Sequence, residues 1–140
     1  MECVFCAIVA GDLPASRVYD DDRVLAFADV NPATPGHLLV VPKRHAADLA
    51  ALDADDGAGM FRVAQRLAAA LRATSLEPEG VNLFLADGKA AGQEVFHAHL
   101  HVVPRRTGDG FGIRADFRSP PREELDRVAE LVRRAVDPLG

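Results

Sequence analysis

The amino-acid sequence predicts an α+β domain with a mainly antiparallel sheet. Three observations support this prediction. Short apolar segments are separated by residues that form turns, which is typical of strands joined by hairpins. Two longer segments repeat apolar residues at the spacing of an α-helix. These helical segments lie apart from the paired strands along the chain, and that separation favours the α+β class.

The strands are predicted from apolar runs that end at turn-forming residues. In chain order, the five predicted strands cover residues 17–19, 23–28, 37–41, 81–86 and 97–103. The first two flank a turn of three aspartates at residues 20–22, and the third stops at Pro42. Residues 29–36 are rich in turn formers and predict a loop between the second and third strands.

Three helices complete the predicted domain. A short helix covers residues 5–10 and ends at Gly11. A longer helix begins after Asp53, whose side chain can cap the first turn. Its core positions recur at helical spacing: Met60, Val63, Leu67 and Leu71. A C-terminal helix follows Pro120, and its apolar positions are Leu125, Val128, Ala129, Val132 and Val136.

Composition narrows the classes of function. The chain has 140 residues, 49% hydrophobic and 26% charged, as expected for one globular domain. Its net charge of −5 argues against non-specific nucleic-acid binding, which requires a basic surface. No apolar run reaches the roughly 18 residues that span a membrane. No signal peptide is predicted either, so we expect a cytoplasmic location.

Three of the five histidines fall within five residues, in the segment His97-Ala98-His99-Leu100-His101. In a strand, alternate side chains point to opposite faces. The pattern therefore predicts that the three imidazoles line one face while the apolar residues between them enter a core. Such a row suits metal binding or nucleophilic chemistry. The simpler alternative is a solvated strand with histidines by chance.

The two cysteines, Cys3 and Cys6, form a C-x-x-C motif. In a cytosolic chain this motif indicates half of a metal site or a redox pair. Redox pairs of the thioredoxin type follow a strand, and no strand precedes Cys3. The motif is therefore interpreted as half of a metal site, and histidines are available to supply the two further ligands that zinc requires.

Four segments of the chain resemble the histidine triad (HIT) family. Residues 97–103 match its His-φ-His-φ-His-φ-φ motif, in which φ is apolar, and residues 92–96 resemble the phosphate loop that precedes it. Residues 27–32 resemble the family's ribose-binding turn, and residues 36–45 resemble its second characteristic strand. The resemblance covers residues 3–112.

The resemblance implies a HIT-like fold, in which a five-stranded sheet carries a central helix and a C-terminal helix. It implies a single HIT domain over residues 1–140, with its core at 3–112 and a helical extension at 119–136. HIT proteins form two-fold dimers by joining their sheets and central helices, so a homodimer is expected. No nucleic-acid or membrane partner is expected.

The resemblance also implies an activity. His99 would attack the α-phosphate of a purine nucleotide, and water would release the monophosphate from the nucleotidyl-histidine. His101 would donate a proton to the phosphate or the leaving group, or else be a packed structural histidine. His37 would support the triad by a hydrogen bond or pack beneath it. The favoured activity is that of an adenosine 5′-monophosphoramidase. The alternatives are hydrolysis of Ap3A or Ap4A and nucleotide binding with little turnover.

The residues that the resemblance assigns to nucleotide binding are Val4, Phe5, Ile8, Phe27, Asp29, Val30, Gly92, Gln93, Glu94, His99 and His101. The apolar members would sandwich the purine, although core packing explains any one of them equally well. Asp29 would accept hydrogen bonds from the ribose hydroxyls, or it would only cap the turn at Asn31. Gly92, Gln93 and Glu94 would cradle phosphate oxygens.

Cys3, Cys6, His45 and His97 would complete a structural Cys₂His₂ zinc site, as in relatives that keep the C-x-x-C; free thiols without a metal are the alternative. Two departures from the family pattern stand out. Glu94 occupies a position that is Ser or Thr in many members, and Ala86 one that is usually Asn or Gln. Both bear on the preferred leaving group and leave attack by His99 unaffected.

Overall fold

The computed structural model describes residues 2–136 and confirms the α+β prediction. Met1 and residues 137–140, which the predicted domain includes, lie outside the described part. The elements are α1 (Val4–Ala10), β1 (Arg17–Asp20), β2 (Val24–Ala28), β3 (Leu38–Pro42), α2 (Ala54–Arg72), β4 (Gly80–Phe84), a 3₁₀ turn (Lys89–Ala91), β5 (Leu100–Arg105) and α3 (Arg122–Val136).

The five strands form one antiparallel sheet in the order β1-β2-β3-β5-β4. Strand β5 lies between β3 and β4, and its residues His101 and Val102 pair with both neighbouring strands. His101 is opposite Leu39 of β3 and Phe84 of β4. The register therefore places a histidine of the motif near the middle of the sheet, flanked by an aliphatic and an aromatic side chain.

The two faces of the sheet pack on different helices. One face packs on α2, through Val24, Ala26, Leu38, Val40 and Val102 of the sheet and Met60, Val63, Ala64, Leu67 and Leu71 of the helix. The other face packs on α1, through Leu25, Phe27, Leu39 and Val41 of the sheet and Phe5 and Ile8 of the helix. Successive strand residues alternate between these two cores, as the pleat requires.

Helix α2 begins where the sequence predicts. The Asp53 side chain accepts hydrogen bonds from the backbone N–H groups of Asp55 and Asp56. This cap satisfies donors that an uncapped helix leaves unpaired, and such a cap is worth about 1 kcal/mol. The cap thus stabilises the start of α2, and packing of its apolar side places the helix on the face of the sheet opposite α1.

Strand β5 begins at Leu100, three residues later than predicted. The chain before it is bonded elsewhere, since the backbone N–H of Ala98 donates to the carbonyl of Ala46 at 2.7 Å. The first histidine of the motif, His97, therefore lies in a bend ahead of the sheet. Strand β4 likewise ends at Phe84, before the predicted residue 86.

Helix α3 differs from the other helices because none of its residues is buried. Its apolar side chains stay exposed, and Ile113 and Phe117 in the segment before it are 79% and 82% exposed. The predicted C-terminal helix is confirmed, but it does not add to the core of residues 2–136. No helix in this range is long and apolar enough to cross a membrane.

Candidate active site

The alternation in the histidine motif holds in three dimensions. Leu100 and Val102 pack in the core under α2, whereas the rings of the three histidines lie on the α1 side. Phe5 of α1 makes edge contacts with His97 and His99, at ring-centroid distances of 5.9 Å and 5.1 Å. The predicted segregation of histidines from apolar residues is therefore found, although only part of the motif is strand.

A cavity of about 780 Å³ lies on this face, between α1, the sheet and the loop before β5. Pockets for small molecules typically measure about 300–1,000 Å³. Of the residues predicted to bind a nucleotide, ten line it: Val4, Phe5, Ile8, Phe27, Asp29, Val30, Gly92, Glu94, His99 and His101. Phe5, Ile8 and Phe27 form a buried apolar wall, while Val30 is 95% exposed and lies at the rim.

His99 has a defined tautomer. Its Nδ1 lies 2.8 Å from the backbone carbonyl oxygen of His97, which can only accept a hydrogen bond. Nδ1 therefore carries the proton and Nε2 keeps its lone pair. Since the ring lines the cavity, the unprotonated nitrogen is available as a nucleophile there.

His37 and His101 form a second, directional chain of hydrogen bonds. The backbone N–H of Ala33 donates to Nδ1 of His37 at 3.0 Å, so a neutral His37 carries its proton on Nε2. That nitrogen donates to Nδ1 of His101 at 2.9 Å. A neutral His101 then carries its own proton on Nε2, which makes it a hydrogen-bond donor toward the cavity.

Burial keeps both of these rings neutral. It is the main cause that lowers the pKa of His101 from 6.5 to about 4. The nearby His99 and His37 rings lower this pKa further, and the Asp29 carboxylate opposes the shift. Burial also lowers the pKa of His37, and the Asp29 carboxylate again opposes the shift. At neutral pH the two rings therefore hold the donor chain in one direction.

We expect the protein to lose stability in acid because of these rings. As pH falls from 6.5 toward 4, an unfolded chain binds a proton at His101 that the folded chain does not. The free energy of unfolding should fall by roughly 2 kcal/mol over this interval through His101 alone. Urea titrations of wild type and His101→Gln across the interval measure it. An equally steep fall in the variant would contradict this assignment.

Asp29 caps the turn at Asn31 and also faces the cavity. Its Oδ1 accepts the backbone N–H of Asn31 at 2.8 Å, which fixes the turn. Its Oδ2 lies 3.5 Å from Nε2 of His37. Because the carboxylate lines the cavity, its remaining lone pairs are accessible to a ligand. The two interpretations of Asp29 are therefore compatible.

The loop before the motif corrects one prediction. Gln93 is only 3% exposed and does not line the cavity. Its Oε1 accepts the N–H of Gly88 at 2.8 Å, and its Nε2 donates to the carbonyls of Ala47 and Val95 at 2.7 Å and 3.1 Å. The Gln93 side chain therefore braces the loop from inside. The predicted phosphate contact is wrong for this side chain, because its amide is committed to backbone groups.

Two backbone N–H groups of this loop are committed as well. Those of Gly92 and Gln93 donate to the carbonyls of Lys89 and Gly88, at 2.9 Å and 3.1 Å. Gly92 adopts φ +95°, a left-handed conformation that favours glycine. In this loop, Gly92 and Glu94 remain as the predicted binding residues that face the cavity.

The four predicted zinc ligands meet beside the cavity, with all their donor atoms within 4.8 Å of one another. Nδ1 of His97 lies 3.4 Å from Sγ of Cys3 and 3.5 Å from Sγ of Cys6. Nδ1 of His45 lies 3.3 Å from Sγ of Cys6 and 3.2 Å from Nδ1 of His97. Tetrahedral zinc with these ligands has donor–donor separations of about 3.3–3.8 Å, so the set fits the ion.

The surroundings of this site support the same fit. Nε2 of His97 lies 2.7 Å from the carbonyl oxygen of Pro42, so it donates there and leaves the Nδ1 lone pair facing the cysteines. Cys3 is the N-cap of α1 and Cys6 follows one turn later, which brings both thiols to one side of the helix. The His97 side chain thus points to the cysteines, while His99 and His101 face the cavity.

One neighbour of the catalytic candidates was not predicted. Phe84 stacks on His101, with ring centroids 4.2 Å apart and planes inclined by 13°. Phe111 in turn stacks on Phe84 at 6.2 Å. The signal that could have identified Phe84 is the pairing of β4 with β5, which a single sequence does not specify.

Comparison with known proteins identifies the family. A family model described as HIT domain matches residues 10–108. An uncharacterized HIT-like protein of Mycobacterium tuberculosis is 46% identical over 131 residues, which are 91% of this chain and 90% of that protein. The structure of a Zn-bound histidine triad family protein from Mycobacterium smegmatis is 48% identical, with a TM-score of 0.77 over 100% of this chain and 99% of that chain.

The fold is also similar to that of a eukaryotic protein. The crystal structure of a histidine triad nucleotide-binding protein from Candida albicans has a TM-score of 0.89 and 25% identity, covering 99% of this chain and all (100%) of that chain. The family model, the relatives and the arrangement of the histidine motif agree. The chain therefore belongs to the histidine triad (HIT) family.

Proposed function

We propose that this protein cleaves purine nucleotides at the α-phosphate through a nucleotidyl-His99 intermediate, and that its main activity is that of an adenosine 5′-monophosphoramidase. Membership of the HIT family supports a nucleotide-binding or nucleotide-hydrolysing role in general. The observation that carries the proposal is the tautomer of His99. Its Nδ1 is held by the His97 carbonyl, and its Nε2 lone pair faces a cavity of nucleotide size.

The proposed reaction has two steps. Nε2 of His99 attacks the α-phosphorus while the Nε2–H of His101 donates a hydrogen bond to a phosphate oxygen. The bond from phosphorus to the amine nitrogen breaks, and that nitrogen takes a proton from a water molecule, which becomes hydroxide. A second water molecule then attacks phosphorus, the P–N bond to His99 breaks and AMP leaves, while the proton released by that water neutralises the hydroxide. The Ala33–His37–His101 chain supports this role, because it directs the His101 proton toward the cavity.

The cavity walls suggest how the nucleotide is held. The purine would lie against the apolar wall of Phe5, Ile8 and Phe27, with Val4 and Val30 at its rim. Apolar side chains form no hydrogen bonds with the polar atoms that distinguish one purine from another, so we expect loose selectivity among purines. Asp29 would accept hydrogen bonds from the ribose, and Gly92 and Glu94 would lie along the phosphate.

A panel of substrates tests the proposal. AMP release from AMP-lysine, Ap3A, Ap4A and ADP-ribose is measured under identical conditions. We expect the phosphoramidate to have the highest kcat/KM. Preference for Ap3A or Ap4A would replace the proposal with the dinucleoside polyphosphate alternative. Nucleotide binding without AMP release from any of the four would leave a binding protein with little turnover.

We further propose that zinc occupies the site formed by Cys3, Cys6, His45 and His97. The fit of the four donors supports it, as does the Zn-bound relative from Mycobacterium smegmatis. Four protein ligands leave no open position, so the ion would be structural. It would tie α1 to the segments that follow β3 and precede β5. Reduced thiols as ligands also fit the proposed cytoplasmic location.

We also propose that the single HIT domain forms a homodimer. Strand β4 is an edge of the sheet in residues 2–136, and an edge can pair with a second copy. The exposed apolar side of α3 offers a further surface for burial, since Leu131 and Val132 are 62% and 56% exposed. Joining of the sheets, with α3 against the partner, would cover both features.

Sedimentation measures the proposed dimer. We expect wild type to sediment as a dimer and Val132→Asp to dissociate more readily, because a carboxylate would enter an apolar contact. Asp126→Lys is the control, since the helical spacing puts Asp126 on the side of α3 away from both Leu131 and Val132, and it should remain dimeric. A monomeric wild type, or equal dissociation of both variants, would count against the proposed contact.

A further inference from the structure

Glu94 lies where two cavities meet. It lines the cavity that contains His99 and His101, and it also lines a neighbouring cavity of about 500 Å³. Val4 and Val95 are shared by the two cavities as well. A group attached to phosphorus near His99 can therefore extend past Glu94 into the neighbouring space.

The neighbouring cavity suits a cation. Two carboxylates, Glu2 and Glu94, line it, together with the half-exposed ring of Phe96 and with Cys3 and His45 of the proposed zinc site. Its walls, as far as residues 2–136 form them, include no lysine or arginine. Two thiolate ligands would balance the charge of a zinc ion, so the carboxylates would remain available to a cation. Within residues 2–136, Glu94 forms no salt bridge that would neutralise it. Carboxylates attract ammonium groups and repel phosphate oxygens, and an aromatic face also attracts cations.

We infer that Glu94 and this cavity select the leaving group by charge. Substrates whose leaving group is an amine with a second, cationic ammonium are favoured, and those that release an anionic polyphosphate are disfavoured. This inference rests on the proposed function, since it concerns the same reaction at His99. The amine leaves neutral after taking a proton from water, while its distal ammonium remains near Glu94.

The charge of the leaving group can be varied at constant length. Three adenosine phosphoramidates differ only in the distal group of the amine. That of 1,5-diaminopentane carries a positive charge there, that of pentylamine carries none, and that of 5-aminopentanoate carries a negative charge. We expect wild-type kcat/KM to fall in that order, by about three- to tenfold in total, as for exposed charge pairs worth up to about 1 kcal/mol. Higher salt should reduce the spread, because it screens exposed charges.

Glu94→Gln is the deciding variant. It removes the charge at nearly constant shape. The spread of kcat/KM among the three substrates should therefore shrink to less than about twofold, because the charge pair that discriminates among them is gone. Glu2→Gln should shrink it less, and Glu123→Gln, on the exposed helix α3, should not change it. The inference is overturned if Glu94→Gln keeps the wild-type spread of kcat/KM. It is also overturned if wild type cleaves the three substrates with equal kcat/KM.

A binding measurement keeps this inference separate from the proposed function. Calorimetry with the His99→Ala variant gives the Kd of each phosphoramidate without turnover. Tighter binding of the diaminopentane compound, lost when Glu94→Gln is added, supports the inference even if wild type releases no AMP. Equal Kd values across the series overturn it, even if AMP release establishes the proposed activity.

Discussion

The His99→Ala variant should lose AMP release by at least about 10³-fold while it still binds AMP. Covalent catalysis stops when the nucleophile is removed, and what remains comes from binding and polarisation. His101 should not replace it, because its Nδ1 accepts from His37 and its Nε2 carries a proton. The initial rate with AMP-lysine, at enzyme concentrations high enough to detect slow turnover, measures the loss.

Two controls make this result specific. His99 is 8% exposed and contacts Phe5, so the variant must be shown to be folded, by its Tm and by an unchanged Kd for AMP. Acid-free rapid quenching with α-labelled substrate should trap an adduct on wild type and none on His99→Ala. Turnover within tenfold of wild type, or an adduct on the folded variant, would refute the assigned nucleophile.

The second large effect concerns the metal. Cys3→Ser combined with Cys6→Ser should remove bound zinc and lower the Tm by about 10 °C or more, since each kcal/mol shifts a domain of this size by several degrees. The reason is that the proposed zinc would hold α1 against the sheet, and α1 supplies Phe5 and Ile8 to one of the two cores. Elemental analysis should find about one zinc per wild-type chain.

Ala7→Ser is the matched control for the zinc prediction. It introduces a hydroxyl on the same helix, next to Cys6, without removing a ligand, so it should keep the metal and most of the Tm. A chelator should lower the Tm of wild type and of Ala7→Ser, and it should leave the double variant unchanged. If wild type contains no metal and its Tm does not change with the chelator, the thiols are free.

Much of the fold follows from local patterns. The alternation of Leu100 and Val102 with histidines predicts which side of the sheet carries the site, and the helical spacing from Met60 to Leu71 predicts the face of α2 that is buried. The cap at Asp53 marks the start of that helix. These predictions succeed because each depends on the geometry of one strand or one helix.

Other features depend on contacts between distant segments. The bond from Ala98 to Ala46 delays the start of β5, and the His37–His101 bond joins residues that lie 64 positions apart. Stacking of Phe84 on His101 requires the pairing of β4 with β5. Gln93 was misassigned for the same reason, because its amide binds the carbonyl of Ala47, a partner 46 positions away.

The sequence alone thus determined which segments form strands and helices and which side chains share a face of the sheet. It also determined which histidines and cysteines are available as nucleophile and metal ligands. The tertiary structure alone decided which ring nitrogen holds a proton in His37, His97, His99 and His101. It also decided that His97, and neither His99 nor His101, turns toward Cys3 and Cys6, and that α3 stays outside the core. The physical reason is range. Side-chain alternation and helix capping act over a few residues, whereas proton placement and burial depend on atoms that only tertiary packing brings together.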